Sequence, residues 1–406
     1  MPDLMNLLIV AAVAFGVPFS LGLVPRLRLP AVALEIVAGI LIGPSVLGWV
    51  SVDEPLQVFA VVGLSFLLLI AGLEVDFDRL RGKTLELALL GFGISFGLAL
   101  AAGYLLKAGG LVKSPLLIAI ALSATGLGII IPILKDAGEV ETVFGQLVVA
   151  SASVAEVGTI VLLSLFFSGQ SSGVGAKLVL LIAFFGFIGA VGFVIVASEH
   201  SMRFTATLTR LQDTTAQIRV RAAFVLLVGF TVAAERFGAE AILGSFLAGA
   251  IIKLVDRDQA MTHPRFRVKL ESAGFGIFVP FFFVVSGVRF DAGALFASGS
   301  ILLRVPLFLA ILLLVRGLPA LVFRMVADRP RLVAAGLLQA TSLSFLVVVS
   351  QLGQSLGLIT AANGAALIAA GLLSVLIFPL SALTILRRAE TSVPSGMVSR
   401  PSLAVR

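Results

Sequence analysis

Cysteine is missing from all 406 residues, and histidine occurs only twice, at His200 and His263. The first absence excludes a disulfide framework, thioether haem attachment, an iron–sulfur cluster and a cysteine zinc site. The second argues against a histidine-based metal centre, since both histidines fall in charged connectors. No cofactor is expected. Charge is scarce too, at 13% of residues, against about 25% in soluble domains. Net charge is +7. In a chain this apolar, such an excess reads as basic loops held on one side of a bilayer rather than as a nucleic-acid footprint.

What the chain has in abundance is hydrophobic side chain, 59% of all residues. A hydrocarbon core of about 30 Å takes roughly 20 helical residues to cross. Apolar runs bounded by charge, Pro and Gly lie near 4–24, 31–49, 56–74, 84–106, 114–134, 145–168, 175–197, 217–236, 239–254, 271–288, 300–323, 332–354 and 359–386. The first lacks a basic start and is too long for a signal-peptide core, so it reads as a span. The runs are continuous rather than alternating, which excludes a β-barrel. The fold class expected is therefore an all-α polytopic membrane protein of about 13 transmembrane helices. With the N-terminus outside, 22 of the 29 basic residues fall on the cytoplasmic side and 6 on the outer side. Arg316 alone stays within a span. This asymmetry predicts a multi-pass protein of the cell membrane with its N-terminus out and a short cytoplasmic tail at 391–406.

Two stretches repeat. "FLLLIAGLEVDFDRL" at 66–80 aligns with "FFFVVSGVRFDAGAL" at 281–295, matching Gly72 to Gly287 and Asp76 to Asp291. "SATGLGII" at 123–130 aligns with "QATSLSFL" at 339–346 at nearly the same offset. The offset moves the third span onto the tenth, a shift of seven, so the copies cross the membrane in opposite directions. The expected plan within 1–390 is 6+1+6: a first repeat at 4–168, a linking helix at 175–197 and a second repeat at 217–386. Inverted repeats of this kind are typical of secondary transporters, whose sites form at paired interruptions in matching helices. Ala124, Thr125, Gly126 and Gly128 in one copy, with Thr341, Ser342 and Ser344 in the other, are expected to form two discontinuous helices. "GILIG" at 39–43 reads instead as a close-packing stripe.

Of all the ionisable residues, Glu156 in "VVASASVAEVGTIVLLSLFF" and Arg316 in "ILLLVRGLPALVF" interrupt apolar runs most deeply. A buried ionisable side chain in a membrane is a functional candidate by default. Glu35, Glu86 and Glu235 lie toward span ends, and "LEVDFDRLRGK" reads as a solvated loop anchor.

With these residues in place, the chain resembles the monovalent cation:proton antiporters, in the branch of Kef-type potassium and NapA-type sodium exchangers. The motifs that carry the likeness are "EIVAGILIGPSVLG", "FLLLIAGLEVD", "ALSATGLGIIIPILKDAGEVETVFGQL", "GSFLAGAII" and "FFFVVSGVRFD". The resemblance implies thirteen helices in a dimerisation domain and a core domain, the latter with two crossed broken helices, assembled as a homodimer. It also implies an ion- and proton-binding carboxylate at Glu156, a broken-helix ligand at Thr125 and a basic charge partner at Arg316. Ser153, one turn before Glu156, is a further candidate ligand. The chain departs from the family pattern in having Ala155–Glu156 where relatives usually carry an acidic or amide residue followed by Asp. The implied activity is exchange of a proton for Na⁺ or K⁺ by alternating access, electroneutral if one carboxylate serves both. Two alternatives remain open at this point: a proton-coupled transporter of an organic or anionic solute, and a membrane ion sensor that moves nothing. An enzyme is not expected, because no nucleophile–base set or facing pair of aspartates stands out.

Overall fold

Without water in the bilayer, backbone groups must pair within their own segment, so each apolar run becomes a helix. The computed structural model describes residues 4–23, 30–75, 80–167, 174–199, 217–255 and 265–391. His200, His263, Asp76 and residues 392–406 of the expected tail lie outside the described residues. The first half runs α1 (Met5–Leu23), α2 (Ala31–Ile42), α3 (Glu54–Glu74), α4 (Gly82–Ala108), α5 (Pro115–Ser123), α6 (Leu127–Asp136) and α7 (Val143–Phe167). Then follow α8 (Val174–Glu199), α9 (Ile218–Arg236), α10 (Ala241–Val255), α11 (Arg265–Ala273), a π-helical turn (Gly274–Phe278) and α12 (Val279–Val288). The chain closes with α13 (Ala292–Phe296), α14 (Gly299–Leu302), α15 (Arg304–Gly317), a 3₁₀ segment (Leu318–Met325), α16 (Arg329–Gln339), α17 (Ser344–Ser355) and α18 (Ala361–Thr391). No strand occurs among the described residues.

Among the described residues, nine helices are long and apolar enough to cross a membrane, and three more apolar helices are shorter. The one expected span left over, at 217–236, is α9, whose ends carry Arg219, Arg221, Glu235 and Arg236. Local signals set several boundaries. Asp53 caps α3 by accepting from the Leu56 N–H, and Ser114 caps α5 by accepting from Leu117. Asp328 accepts from Arg331 at the start of α16. In each case a proline follows in the first turn, where its missing N–H costs nothing. α2 stops at Ile42, seven residues before the expected boundary, because Gly43 leaves the helix for an extended conformation ahead of Pro44.

The helices sort into two bundles. One gathers α1, α2, α3, α9, α10 and α12; the other gathers α4 to α7 with α15 to α18. α8 packs on α7 and α10, between the two. The first bundle turns on two tight crossings. At α2–α12, a β-carbon on Gly39 would run into the Val284 carbonyl and one on Gly287 into that of Ile36. At α3–α10, Gly72 meets the Phe246 carbonyl and Gly249 meets that of Leu69. Since Gly72 and Gly287 are repeat partners, the second crossing is the first one turned over. The stripe at 39–43 is thus a packing feature, and backbones approach there because no side chain intervenes.

Candidate functional site

The two interrupted helices meet at their breaks. α5 ends at Ser123 and α6 starts at Leu127, while α16 ends at Gln339 and α17 starts at Ser344. The gaps are narrower than the sequence suggests. Gly128 and Ser344 lie in the first turns of α6 and α17. The reason is that the backbone needs only three or four residues out of helical geometry to free its end groups. Across the gap, the Gly126 N–H donates to the Thr341 carbonyl at 2.9 Å. The Thr125 hydroxyl donates to the Gln339 carbonyl at 2.7 Å. Ser342 gives its N–H to the Ser374 hydroxyl of α18 at 3.2 Å. The two breaks are therefore one hydrogen-bonded crossing, held from the side by α18.

Arg316 enters this crossing from α15 and is 1% exposed. Its Nε donates to Thr125 Oγ1 at 2.8 Å and, more weakly, to the Gln339 carbonyl at 3.4 Å. Nη1 donates to Ser95 Oγ of α4 at 3.2 Å, and Nη2 has no partner. Hydrogen bonds to a charged group return about 1.5–3 kcal/mol each. Burying an ion without a counter-ion costs several kcal/mol. Three neutral acceptors thus offset much of the penalty, and no carboxylate is drawn in. Arg316 makes no ion pair with Glu156.

Glu156 sits on α7, against the other side of the crossing. The Leu127 N–H, first in α6, is directed at its carboxylate, and the acidic side chain that faces it electrostatically is Glu74. Its Oε2 is enclosed and has no hydrogen-bond partner. The residue as a whole keeps partial access although that oxygen does not. Ser153 lies one turn before it on α7, 1% exposed, with an unpartnered hydroxyl. Ser151 Oγ is likewise enclosed and unpartnered.

The structure thus brings Thr125, Gly126, Thr341 and Arg316 into direct contact, and sets Glu156 and Ser153 on the flanking helix. Sequence reading missed Ser95 and Gln339, whose roles follow from packing; Gln339 was within reach, as the residue before the Ala–Thr of the second break. It also placed Glu74 in a solvated loop. Glu74 is instead the last residue of α3, packed on the start of α6. Glu86 and Glu235 are exposed as expected, whereas Glu35 is buried. Among the described residues no group of three or more His, Asp or Glu could hold a metal ion.

The fold superposes on the sodium proton antiporter MjNhaP1 from Methanocaldococcus jannaschii with a TM-score of 0.69, covering 96% of this chain and 99% of that one at 16% identity. In sequence, the chain is 30% identical over 400 residues to the putative Na⁺/H⁺ antiporter YjbQ of Bacillus subtilis. That match covers 95% of this chain but 63% of the relative, so the chain spans just under two thirds of that protein. It is 29% identical over 275 residues to the Na⁺/H⁺-K⁺ antiporter GerN of Bacillus cereus, across 65% of this chain and 66% of that one. The sodium/hydrogen exchanger transmembrane family model matches residues 10–388. With nearly the whole helical region accounted for, this multi-pass membrane protein belongs to the sodium/hydrogen exchanger family.

Proposed function

We propose that the chain exchanges protons for a monovalent cation, Na⁺ or K⁺, with Glu156 holding each in turn. The observation that carries this reading is the Glu156 carboxylate itself. It is an acid at mid-span with an oxygen left unpartnered, beside the exposed backbone of a helix break. Hard monovalent cations take oxygen ligands, and two hydroxyls and two backbone carbonyls are candidates to supply them. Ser153 offers a hydroxyl free of partners. The Thr125 hydroxyl donates its hydrogen bond to the Gln339 carbonyl, which leaves a lone pair beyond the one taken by Arg316. Carbonyls freed at Ser123 and Ala124 complete the set.

Arg316 serves as a fixed positive charge inside the moving core. With Glu156 ionised, the core carries no net charge at the site; with either a proton or a cation bound, it carries one positive charge. Both loaded strokes then move the same charge in opposite directions. Membrane voltage, worth about 2.3 kcal/mol per charge per 100 mV, accordingly has no net grip on the cycle. The core bundle slides against the bundle of α1–α3 and α9–α12. That second bundle forms the contact between two copies in a homodimer in the cell membrane, with N-termini outside. The two repeats span about 4–168 and 217–386, joined by α8.

Proton flux in vesicles on addition of Na⁺, K⁺ or Li⁺ tests the reading. Wild-type protein should acidify or alkalinise the lumen with the cation gradient, and Glu156→Gln should not. Equal flux from both removes Glu156 from the mechanism. Net exchange driven by a membrane potential alone, with no proton or cation gradient imposed, overturns the one-for-one stoichiometry.

A further inference from the structure

The repeat that matches Gly72 to Gly287 and Asp76 to Asp291 places Glu74 on Arg289. Positions made equivalent by an inverted repeat here carry opposite charges. Glu74 closes α3 and leans on the start of α6: a β-carbon at Gly128 would lie 3.6 Å from its Oε2 and 3.9 Å from its Oε1. The same helix start receives Glu156 through the Leu127 N–H. Two carboxylates, one from each bundle, therefore converge on one turn of backbone, and Glu156 Oε2 there is enclosed and unpartnered. The other charges near Glu74 come from α11, where Arg267 and Glu271 pair with each other. Arg289 caps α12 at the opposite end of the repeat and is exposed.

The two halves also hold different registers. In the first, Glu74 of α3 lies beside Gly128 of α6. In the second, Ser286 of α12 accepts from Gln351 of α17 at 3.2 Å. Carried back through the repeat, Ser286 falls on Ala71 and Gln351 on Lys135. In repeat numbering the two contacts thus differ in register by about ten residues.

Sliding of the core, as proposed above, makes the halves exchange these registers, so that Arg289 arrives at Ser344, the start of α17, as Glu74 leaves Gly128. We propose that the ion route then has a carboxylate at one mouth and a guanidinium at the other. A cation arriving from the Glu74 side meets two acids, Glu74 and Glu156. One arriving from the Arg289 side must pass a like charge. The exchanger is therefore asymmetric in saturation: its cation site fills at lower concentration from the Glu74 side. Thermodynamic balance forbids this from shifting the final gradient, because a change in apparent affinity on one side is matched by a change in turnover.

The transport arm of the test rests on cation/proton exchange; the cross-linking arm does not. In oriented vesicles, Glu74→Gln should raise the cation KM on its own side about three- to tenfold and leave the other side within about twofold. Arg289→Gln should lower the KM on the opposite side. Equal changes on both sides, or none, overturn the asymmetry. Because the chain has no cysteine, thiol pairs report geometry cleanly. Glu74→Cys with Gly128→Cys should cross-link in the arrangement described here, and Arg289→Cys with Ser344→Cys in the exchanged one. If Gly128→Cys does not fold, Ala71→Cys with Lys135→Cys reports the same exchange. A first pair that forms while the second never does overturns the register swap. Wild-type vesicles without cation-dependent flux would refute the exchange activity and leave the cross-links to decide the geometry.

Discussion

Thr125→Val removes one hydroxyl, keeps the shape and methyl bulk of the side chain, and separates what the hydroxyl holds together. The lost bonds are the donation to the Gln339 carbonyl at 2.7 Å and the acceptance from Arg316 Nε at 2.8 Å. All three residues are at most 2% exposed, so water does not replace them. Hydrogen bonds between membrane helices average about 0.6 kcal/mol and reach about 1.7. A bond to a charged group in a protein interior is worth about 1.5–3 kcal/mol. The Gln339 carbonyl keeps its long contact with Nε, and Arg316 keeps Ser95, so neither is wholly orphaned. The expected loss is then about 1–4 kcal/mol. The measurement is thermal unfolding in detergent, read as the temperature at which the monodisperse peak disappears. Thr125→Ser retains the hydroxyl and should stay close to wild type, while Thr125→Val should fall by several degrees. Equal stability of the valine variant and wild type, or of the serine and valine variants, would refute the claim that this hydroxyl ties the two broken helices together.

Gly39→Ala drives a methyl into the Val284 backbone carbonyl and should destabilise by more than about 3 kcal/mol, seen as lost expression and monodispersity. Gly229→Ala on α9 meets nothing within 4 Å and should gain up to about 1 kcal/mol from helix propensity, checked in the same unfolding assay. Arg331→Ala leaves Glu139 buried without the guanidinium that reaches it at 2.7 Å, and should cost about 3 kcal/mol; adding Glu139→Gln should restore part of that. Asp53, outside the spans, has its carboxyl held below the usual range first by the Asn6 amide and then by the Leu56 N–H. Its contribution is therefore complete above about pH 4 and vanishes as pH falls through the lowered value. Asn6→Ala should flatten that acid limb of the stability profile, and an unchanged profile would count against the link between α1 and α3.

Lipid made most of the architecture legible. Every expected span holds a helix, since a long apolar run in a bilayer has no other way to satisfy its backbone. The breaks were legible for a related reason: Ala124–Thr125–Gly126 and Ala340–Thr341–Ser342 recur in register, and poor helix formers in matching places are hard to ascribe to packing alone. What escaped was the direction of side chains. Arg316 and Glu156 stand out equally in their runs, yet the guanidinium turns toward Thr125, Ser95 and a carbonyl, because α4 and α15 pack there. Glu74 was hidden by its company. Followed in sequence by Asp76 and Asp78, it reads as part of a wet loop, whereas it closes α3 against the start of α6. The end of α2 was missed because "GPSVLGWV" is apolar enough to extend the run, although Gly43–Pro44 stops the helix.

The π-helical turn at Gly274–Phe278 sets the angular phase of its span. A π turn accommodates one residue more than the α-helix around it, which rotates everything on one side by about 100° relative to the other. α12 can thus keep Phe281, Phe282 and Phe283 in its packed interior while α11 aims Arg267 and Glu271 toward Glu74. Deleting a single residue within 274–278 would let the span relax to continuous α-helix. The price would be a quarter-turn of α11, swinging that basic–acidic pair away from the ion route without touching any residue of the crossing.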